Sequence, residues 1–292
     1  MQLPGPTIRA MLWMAATGLL FTMLNATMKV LAHQLDPWLV GALRYAMGAV
    51  VMLPVVLRLG LRASWPKAPR MQFVRGAFHT GGMAIWFIAL PLVSLAELTA
   101  MSFAGPIFIC LGAAMFLHER MTGARWAAVL VGFAGVMLVV KPWAASGGTL
   151  TGNLLLLCSG VVFAGSFLTA KALTRYDRPE VVVLWQHLWV TFLGLPVALF
   201  WWSPPSLVQW GLLAFCGVVG SAGHYCMTRA FRIADISAVQ SVKFLELIWA
   251  AILSWAIFST LPSGWTVAGG LVIFASTFLL ARHESRVAGR AA

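Results

Sequence analysis

The sequence predicts an all-α integral membrane protein, with ten transmembrane helices forming an inverted five-plus-five repeat around a central cavity. Three observations predict it. Of 292 residues, 61% are hydrophobic and only 10% are charged, against roughly 25% charged in an ordinary soluble domain. The basic residues gather in short connections between apolar runs. The chain also matches itself weakly at an offset of 142 residues. At about 20 apolar residues per crossing, ten crossings use roughly 200 residues and leave no length for a separate soluble domain.

Taken in order, the first apolar run, 11–32, is longer than the core of a signal peptide and has no convincing small-residue cleavage site, so it reads as a retained helix. The second, 38–57, follows the helix-starting pair Asp36-Pro37 and carries Arg44. Runs at 74–93 and 97–117 complete the next two spans, and the turn His118-Glu119-Arg120 separates them from 125–140. The second half contains 153–173, then 180–200 after Arg178-Pro179-Glu180, then 207–230, 236–258 and 265–281. Trp38, Trp143, Trp201, Trp202, Trp210 and Trp265 fall at span ends on one predicted side, where an amphipathic ring prefers the headgroup layer.

A net charge of +12 in a soluble protein would suggest nucleic acid as a partner. Its distribution says otherwise. With both termini in the cytoplasm, Arg9, Arg58, Arg62, Lys67, Arg70, Arg75, Arg120, Arg125, Lys171, Arg175, Arg178, Arg229, Arg232, Arg282, Arg286 and Arg290 all lie on the inside, 16 of the 20 basic residues. Lys29 and Lys141 fall near the outer face, and Arg44 and Lys243 fall within spans. This is the bias that sets orientation during insertion. No GxxxxGK[ST] loop is present, which argues against direct use of ATP. The four cysteines lie in apolar runs without metal-ligand spacing, so no metal or cofactor is expected. The absence of an HExxH pair, a GxSxG elbow or a Ser/His/Asp arrangement argues against an intramembrane enzyme.

In the self-match, Phe21, Thr27, Lys29, Leu31, Pro37 and Pro54 recur as Phe163, Thr169, Lys171, Leu173, Pro179 and Pro196. Farther on the offset becomes 141, pairing Phe103, Ile107 and Gly123 with Phe244, Ile248 and Gly264. Two halves follow, 1–145 and 146–292. Each holds five spans, and an odd number inserts the second copy upside down. Inverted repeats place a binding site near the bilayer midplane at their interface.

On the five-plus-five layout, Arg44 after Pro37, and Gly105-Pro106 followed by His118-Glu119-Arg120, the chain resembles the drug/metabolite transporter superfamily in its ten-helix EamA-type form. The second copy departs from that pattern, having Thr260 where the first has Glu119. Within the family it looks most like bacterial exporters of aromatic and other amino acids, which are also associated with efflux of paraquat-like cations. The resemblance implies an inner-membrane, multi-pass secondary transporter that exports amino acids, and a ten-helix chain enclosing its own repeat interface can work as a monomer. Efflux of drug-like organic cations and an uncoupled solute or ion channel are the alternatives.

Candidate cavity residues are the polar and aromatic side chains inside spans. Lys243 and Glu246, three apart, either neutralise each other along one helix face or hold the ammonium and carboxylate of a substrate. Arg44 either snorkels or binds a carboxylate. His79, Met83 and Trp86 share one helical stripe, as do Gly217, Gly220, His224 and Met227, so both stripes suit a shared cavity or plain helix packing. His187 is a third intramembrane histidine. Phe21 and its repeat mate Phe163, with Met101 and Trp185, either pack against neighbours or accept an aromatic or cationic substrate group.

Overall fold

The computed structural model describes residues 5–93, 95–141, 143, 149–258 and 263–291. Among these no strand occurs. Ten spans are long and apolar enough to cross a membrane: α1 (Pro6–Ala32), α2 (Pro37–Leu59), α3 (Pro69–Leu92), α4 (Glu97–Phe116), α5 (Gly123–Val140), α6 (Leu150–Leu173), α7 (Pro179–Trp201), α8 (Leu207–Ile233), α9 (Ile236–Leu253) and α10 (Gly264–Val287). The helix starts read from Asp36-Pro37 and Arg178-Pro179 hold, while the first and third spans begin about five residues earlier than expected, at Pro6 and Pro69. Asp36 accepts the Trp38 N–H at 2.8 Å, and Ser206 forms a reciprocal capping box with Gln209. Prolines 6, 37, 69 and 179 occupy the first helical turn, where the missing N–H costs nothing.

Two of the largest departures from the sequence expectation matter for the centre. α4 and α9 are not continuous helices. α4 breaks at Phe103 and Ala104, just before Pro106. α9 runs as α-helix over Ile236–Val239, as 3-10 helix over Gln240–Phe244, and as α-helix again from Leu245. Phe103 and Phe244 stand at the two breaks, are repeat mates, and lie with ring centroids 6.3 Å apart.

The packing follows the repeat. The most extensive contacts join α3 with α6, α1 with α8, and α5 with α10. Exchanging the halves turns the first pair into the second and leaves the third unchanged, as an internal two-fold relation requires. Side chains repeat the relation: a Cβ on Gly82 would meet the Phe163 ring at 3.0 Å, and one on Gly223 would meet the Phe21 ring at 2.6 Å. Gly82 and Gly223 are themselves 141 residues apart. Where α5 crosses α10, a Cβ on Gly269 would come within 2.6 Å of the Gly135 carbonyl oxygen. Small residues let membrane helices approach this closely. Large apolar side chains face outward, among them Leu57 at 82% exposure and Phe200 at 85%, as lipid-facing surfaces require.

The two ends of the bundle differ. At one end Trp38 stacks on Trp201 at 6.2 Å and Lys141 lies 4.6 Å over Trp265, consistent with an interfacial belt. The other end holds the basic connections. There Arg125 is ion-paired to Asp235 at 3.0 Å and to Glu284 at 2.9 Å. His118, in the left-handed region at φ 54°, turns the chain so that Glu119 accepts the N–H groups of Ile236 at 2.9 Å and Ser237 at 3.0 Å, capping α9. Lys171 donates to the carbonyls of Phe231 and Ala234, both at 2.6 Å.

Two of the basic residues counted from sequence on the inside, Arg125 and Lys171, are therefore partnered, and Arg75 is not interfacial at all. It is 1% exposed, because α3 starts at Pro69 and carries it well inside the bundle. The Thr260 counterpart of Glu119 lies outside the described residues.

Two stability outcomes are expected. Gly269→Ala drives a methyl into the Gly135 carbonyl and lowers stability by about 1–3 kcal/mol, whereas Gly211→Ala, with nothing within 4 Å of its Cβ, leaves melting in detergent unchanged or raised. Arg125→Leu strands two carboxylates and costs about 2 kcal/mol, between the values for exposed and buried pairs, read as a lower melting temperature.

Candidate functional site

Two groups of polar side chains meet at the centre, joined by Phe21. In the first, the fully buried Tyr45 ring of α2 lies among three buried imidazoles. His79 of α3 is 5.4 Å from it between centroids, His187 of α7 5.3 Å and His224 of α8 6.2 Å. The Tyr45 hydroxyl is hydrogen-bonded to His79 Nε2. His187 Nε2 lies 3.0 Å from Ser221 Oγ, and Ser166 Oγ lies 3.4 Å from His79 Nδ1. A Cβ on Gly48 would meet the His187 ring at 2.7 Å, so the glycine is what lets that ring in.

Two guanidinium groups flank this cluster. Arg44 lies over the Tyr45 ring at 4.0 Å. Arg75, one helical turn before His79, donates Nη1 to the Val182 carbonyl at 2.8 Å and Nη2 to Gln186 Oε1. Gln186 Nε2 in turn lies 3.3 Å from His79 Nδ1. Among the described residues, no carboxylate is hydrogen-bonded or ion-paired to any of these groups. Nor does any group of three or more His, Cys, Asp or Glu form a metal site there. Buried donors remain without partners at Arg44 Nε and Arg75 Nε, and His187 Nδ1 and His224 Nδ1 are likewise unpaired.

The second group lines a small cavity, about 10 Å³, bounded by Met14, Thr17 and Phe21 of α1, Phe167 of α6, Met227 of α8, and Gln240, Lys243 and Glu246 of α9. Lys243 Nζ lies 5.1 Å from the Phe167 ring centre. The Glu246 side chain packs on Gly18, and its backbone carbonyl accepts from Thr22 Oγ1 at 3.4 Å. The sequence allowed Lys243 and Glu246 to neutralise each other on one α-helical face. They do not pair within 4 Å, because Lys243 belongs to the 3-10 segment and Glu246 to the helix after it.

Phe21 packs on His224 at 5.0 Å and faces the Lys243 and Glu246 cavity, so it separates the two groups. Its repeat mate Phe163 packs on His79 at 5.1 Å. Metabolite sites in proteins usually enclose about 300–1,000 Å³. The cavity is therefore too small here for such a ligand, and admitting one requires the groups around it to move apart.

Of the residues singled out from sequence, His79, Met83, Phe21, Phe163, His224, Arg44, Lys243 and Glu246 come together at this centre. Trp86 packs both against the Tyr45 and Met83 cluster and, with Met101, against an adjoining apolar cluster of Leu98 and Leu156, so only Met101 lies apart from the centre. Trp185 lies elsewhere: its Nε1 donates to the Ser64 carbonyl at 2.9 Å and its ring stands edge-on to Trp65, tying α7 to the connection between α2 and α3. Sequence reasoning missed Tyr45, Arg75, Gln186, Ser166 and Ser221, and left His187 outside the set. Two signals were available, the Gln186-His187 pair inside an apolar run and Tyr45 as one of only three tyrosines.

The EamA-like transporter family model matches residues 8–141 and again residues 150–282. The chain is 30% identical over 286 residues to a riboflavin transporter of Rhizobium johnstonii, covering 97% of this chain and 94% of that one. It is 28% identical to an S-adenosylmethionine uptake transporter of Rickettsia prowazekii, over 88% of this chain and 87% of the relative. It is 27% identical to a pseudopaline exporter of Pseudomonas aeruginosa, over 90% and 93%. A crystal structure with 20% identity superposes with a TM-score of 0.77 over 95% of this chain and 96% of the other, a likeness of fold. With ten apolar spans, an inverted repeat and a family match over both halves, the chain is a multi-pass membrane transporter of small molecules, not an enzyme, and belongs to the EamA-like transporter family.

Proposed function

We propose that this protein is a secondary transporter of a planar, nitrogen-rich aromatic metabolite of the flavin class, moved by alternating access between the halves 1–145 and 146–292. The observation that carries the reading is the buried group of Tyr45, His79, His187 and His224 between two guanidiniums, with no carboxylate partner. Its rings offer flat faces. Its unpaired donors suit the carbonyl and ring-nitrogen acceptors of a heteroaromatic solute, since buried polar groups of this kind call for a partner. The name of the Rhizobium johnstonii relative supports this class. The position of the small cavity between elements of both halves supports alternating access. We infer that the protein lies in the bacterial inner membrane with both termini cytoplasmic, on the charge bias of its connections, and works as a monomer, because one chain carries both copies of the repeat.

A second reading, export of aromatic amino acids, rests on a different observation. Lys243 and Glu246 stand unpaired beside Phe21, an arrangement complementary to a carboxylate, an ammonium and a ring.

Counterflow in proteoliposomes separates the readings. Saturable exchange of riboflavin is expected; exchange of tryptophan or phenylalanine without riboflavin selects the second reading, and flux without saturation or counterflow selects a channel. Tyr45→Phe removes the hydroxyl bonded to His79 and should lower the apparent riboflavin affinity about tenfold, the worth of one buried hydrogen bond. Glu246→Gln should leave expression intact and cut transport about tenfold or more; a wild-type rate would remove Glu246 from the transport site.

A further inference from the structure

Away from the central site, the basic end of the bundle holds a pocket of about 550 Å³, within the range of small-molecule sites. Both halves contribute to it. The connection from α4 supplies Glu119 and Arg120, the end of α6 supplies Lys171 and Arg175, and the end of α8 supplies Arg232 with the adjoining Asp235.

A basic concavity at this end could be no more than the charge bias of insertion. The pairing pattern argues for more. Glu119 is spent on α9: it accepts from the backbone of Ile236 and Ser237 and from Ser237 Oγ at 2.7 Å. Asp235 is spent on Arg125 at 3.0 Å. Lys171 is spent on two carbonyls. Arg120, Arg175 and Arg232 are left around the pocket without an ion pair among the described residues. Three guanidiniums from three separate stretches of chain thus line one space whose carboxylates are already engaged. Guanidinium forks match phosphate oxygens in geometry and charge.

We infer that this pocket binds a phosphate-bearing anion, held by Arg120, Arg175 and Arg232. The occupant spans both halves and ties the α4 connection to the ends of α6 and α8. The chemistry is shared by a soluble phosphate compound and by the headgroup of an anionic lipid.

The experiment uses the full chain in phosphatidylcholine nanodiscs. One arm titrates pyrophosphate against sodium chloride at matched ionic strength; the other adds phosphatidylglycerol to the disc. The wild-type melting temperature should rise in at least one arm, and which arm responds identifies the source of the phosphate. Arg175→Gln should weaken the response about tenfold, as loss of one charge-assisted hydrogen bond does, and Arg175→Gln with Arg232→Gln should abolish it. Both side chains are exposed, so melting without ligand should match wild type. Should the double variant melt early, Arg120→Gln alone provides the comparison. No rise in either arm, or an equal rise in the variants, overturns the inference.

Discussion

Inside a bilayer, a backbone group released from a helix has no water to bond, and the broken span α9 is where this protein meets that constraint. The release is covered by neighbours. Gln240 Nε2 reaches the Ile236 carbonyl at 3.3 Å, Thr277 Oγ1 of α10 the Ser241 carbonyl at 3.3 Å, and Thr22 Oγ1 of α1 the Glu246 carbonyl. Glu119 covers the N–H groups at the start of the same span. Each of these groups comes from a different stretch of chain, so the broken helix binds α1, α10 and the α4 connection together. It also sets Lys243 and Glu246 on successive helical segments, which is why they face the interior without closing on each other.

The halves agree in their scaffold and differ in their charges. The Phe21 and Phe163 rings occupy matching glycine notches, each packs on a histidine of the facing span though His79 and His224 sit a helical turn out of repeat register, and Phe103 and Phe244 mark matching breaks. The charged residues of the centre, Arg44, Arg75, Lys243 and Glu246, have no charged repeat mates. Arg75 is buried beside Gln186, while the residues 141 and 142 positions later are Cys216 and Gly217. The scaffold provides two symmetric walls, and a polar lining placed on them unequally gives the site a chemical direction.

The spans were legible because a membrane helix is announced by length and hydropathy alone. Paired prolines and phenylalanines made the repeat legible too. What could not be read was depth and facing. Arg75 looked interfacial because a start at Pro69 differs from one at 74 by little more than a helical turn, yet that turn takes the guanidinium from the surface to the interior. The α9 break carries no proline signal, unlike α4 with Pro106. An aromatic ring in an apolar run serves equally well in several settings, and so Trp185 resembled Phe21 in sequence while holding a surface connection in the fold. Tyr45 and Gln186 are uncharged, so a search for intramembrane charge passed over them.

An inverted repeat of two identical halves would have no preferred side: exchanging the conformations of the halves would convert one end state into the other at equal free energy. This chain's ionic clasp of Arg125, Asp235 and Glu284, with Glu119 capping α9, joins elements at one end of the bundle. Under the proposed alternating access, whatever free energy the clasp contributes would favour a state that keeps these elements together. On that mechanism, a few charged residues apart from the central rings would bias the resting population, leaving the rings free to diverge without resetting which way the protein faces.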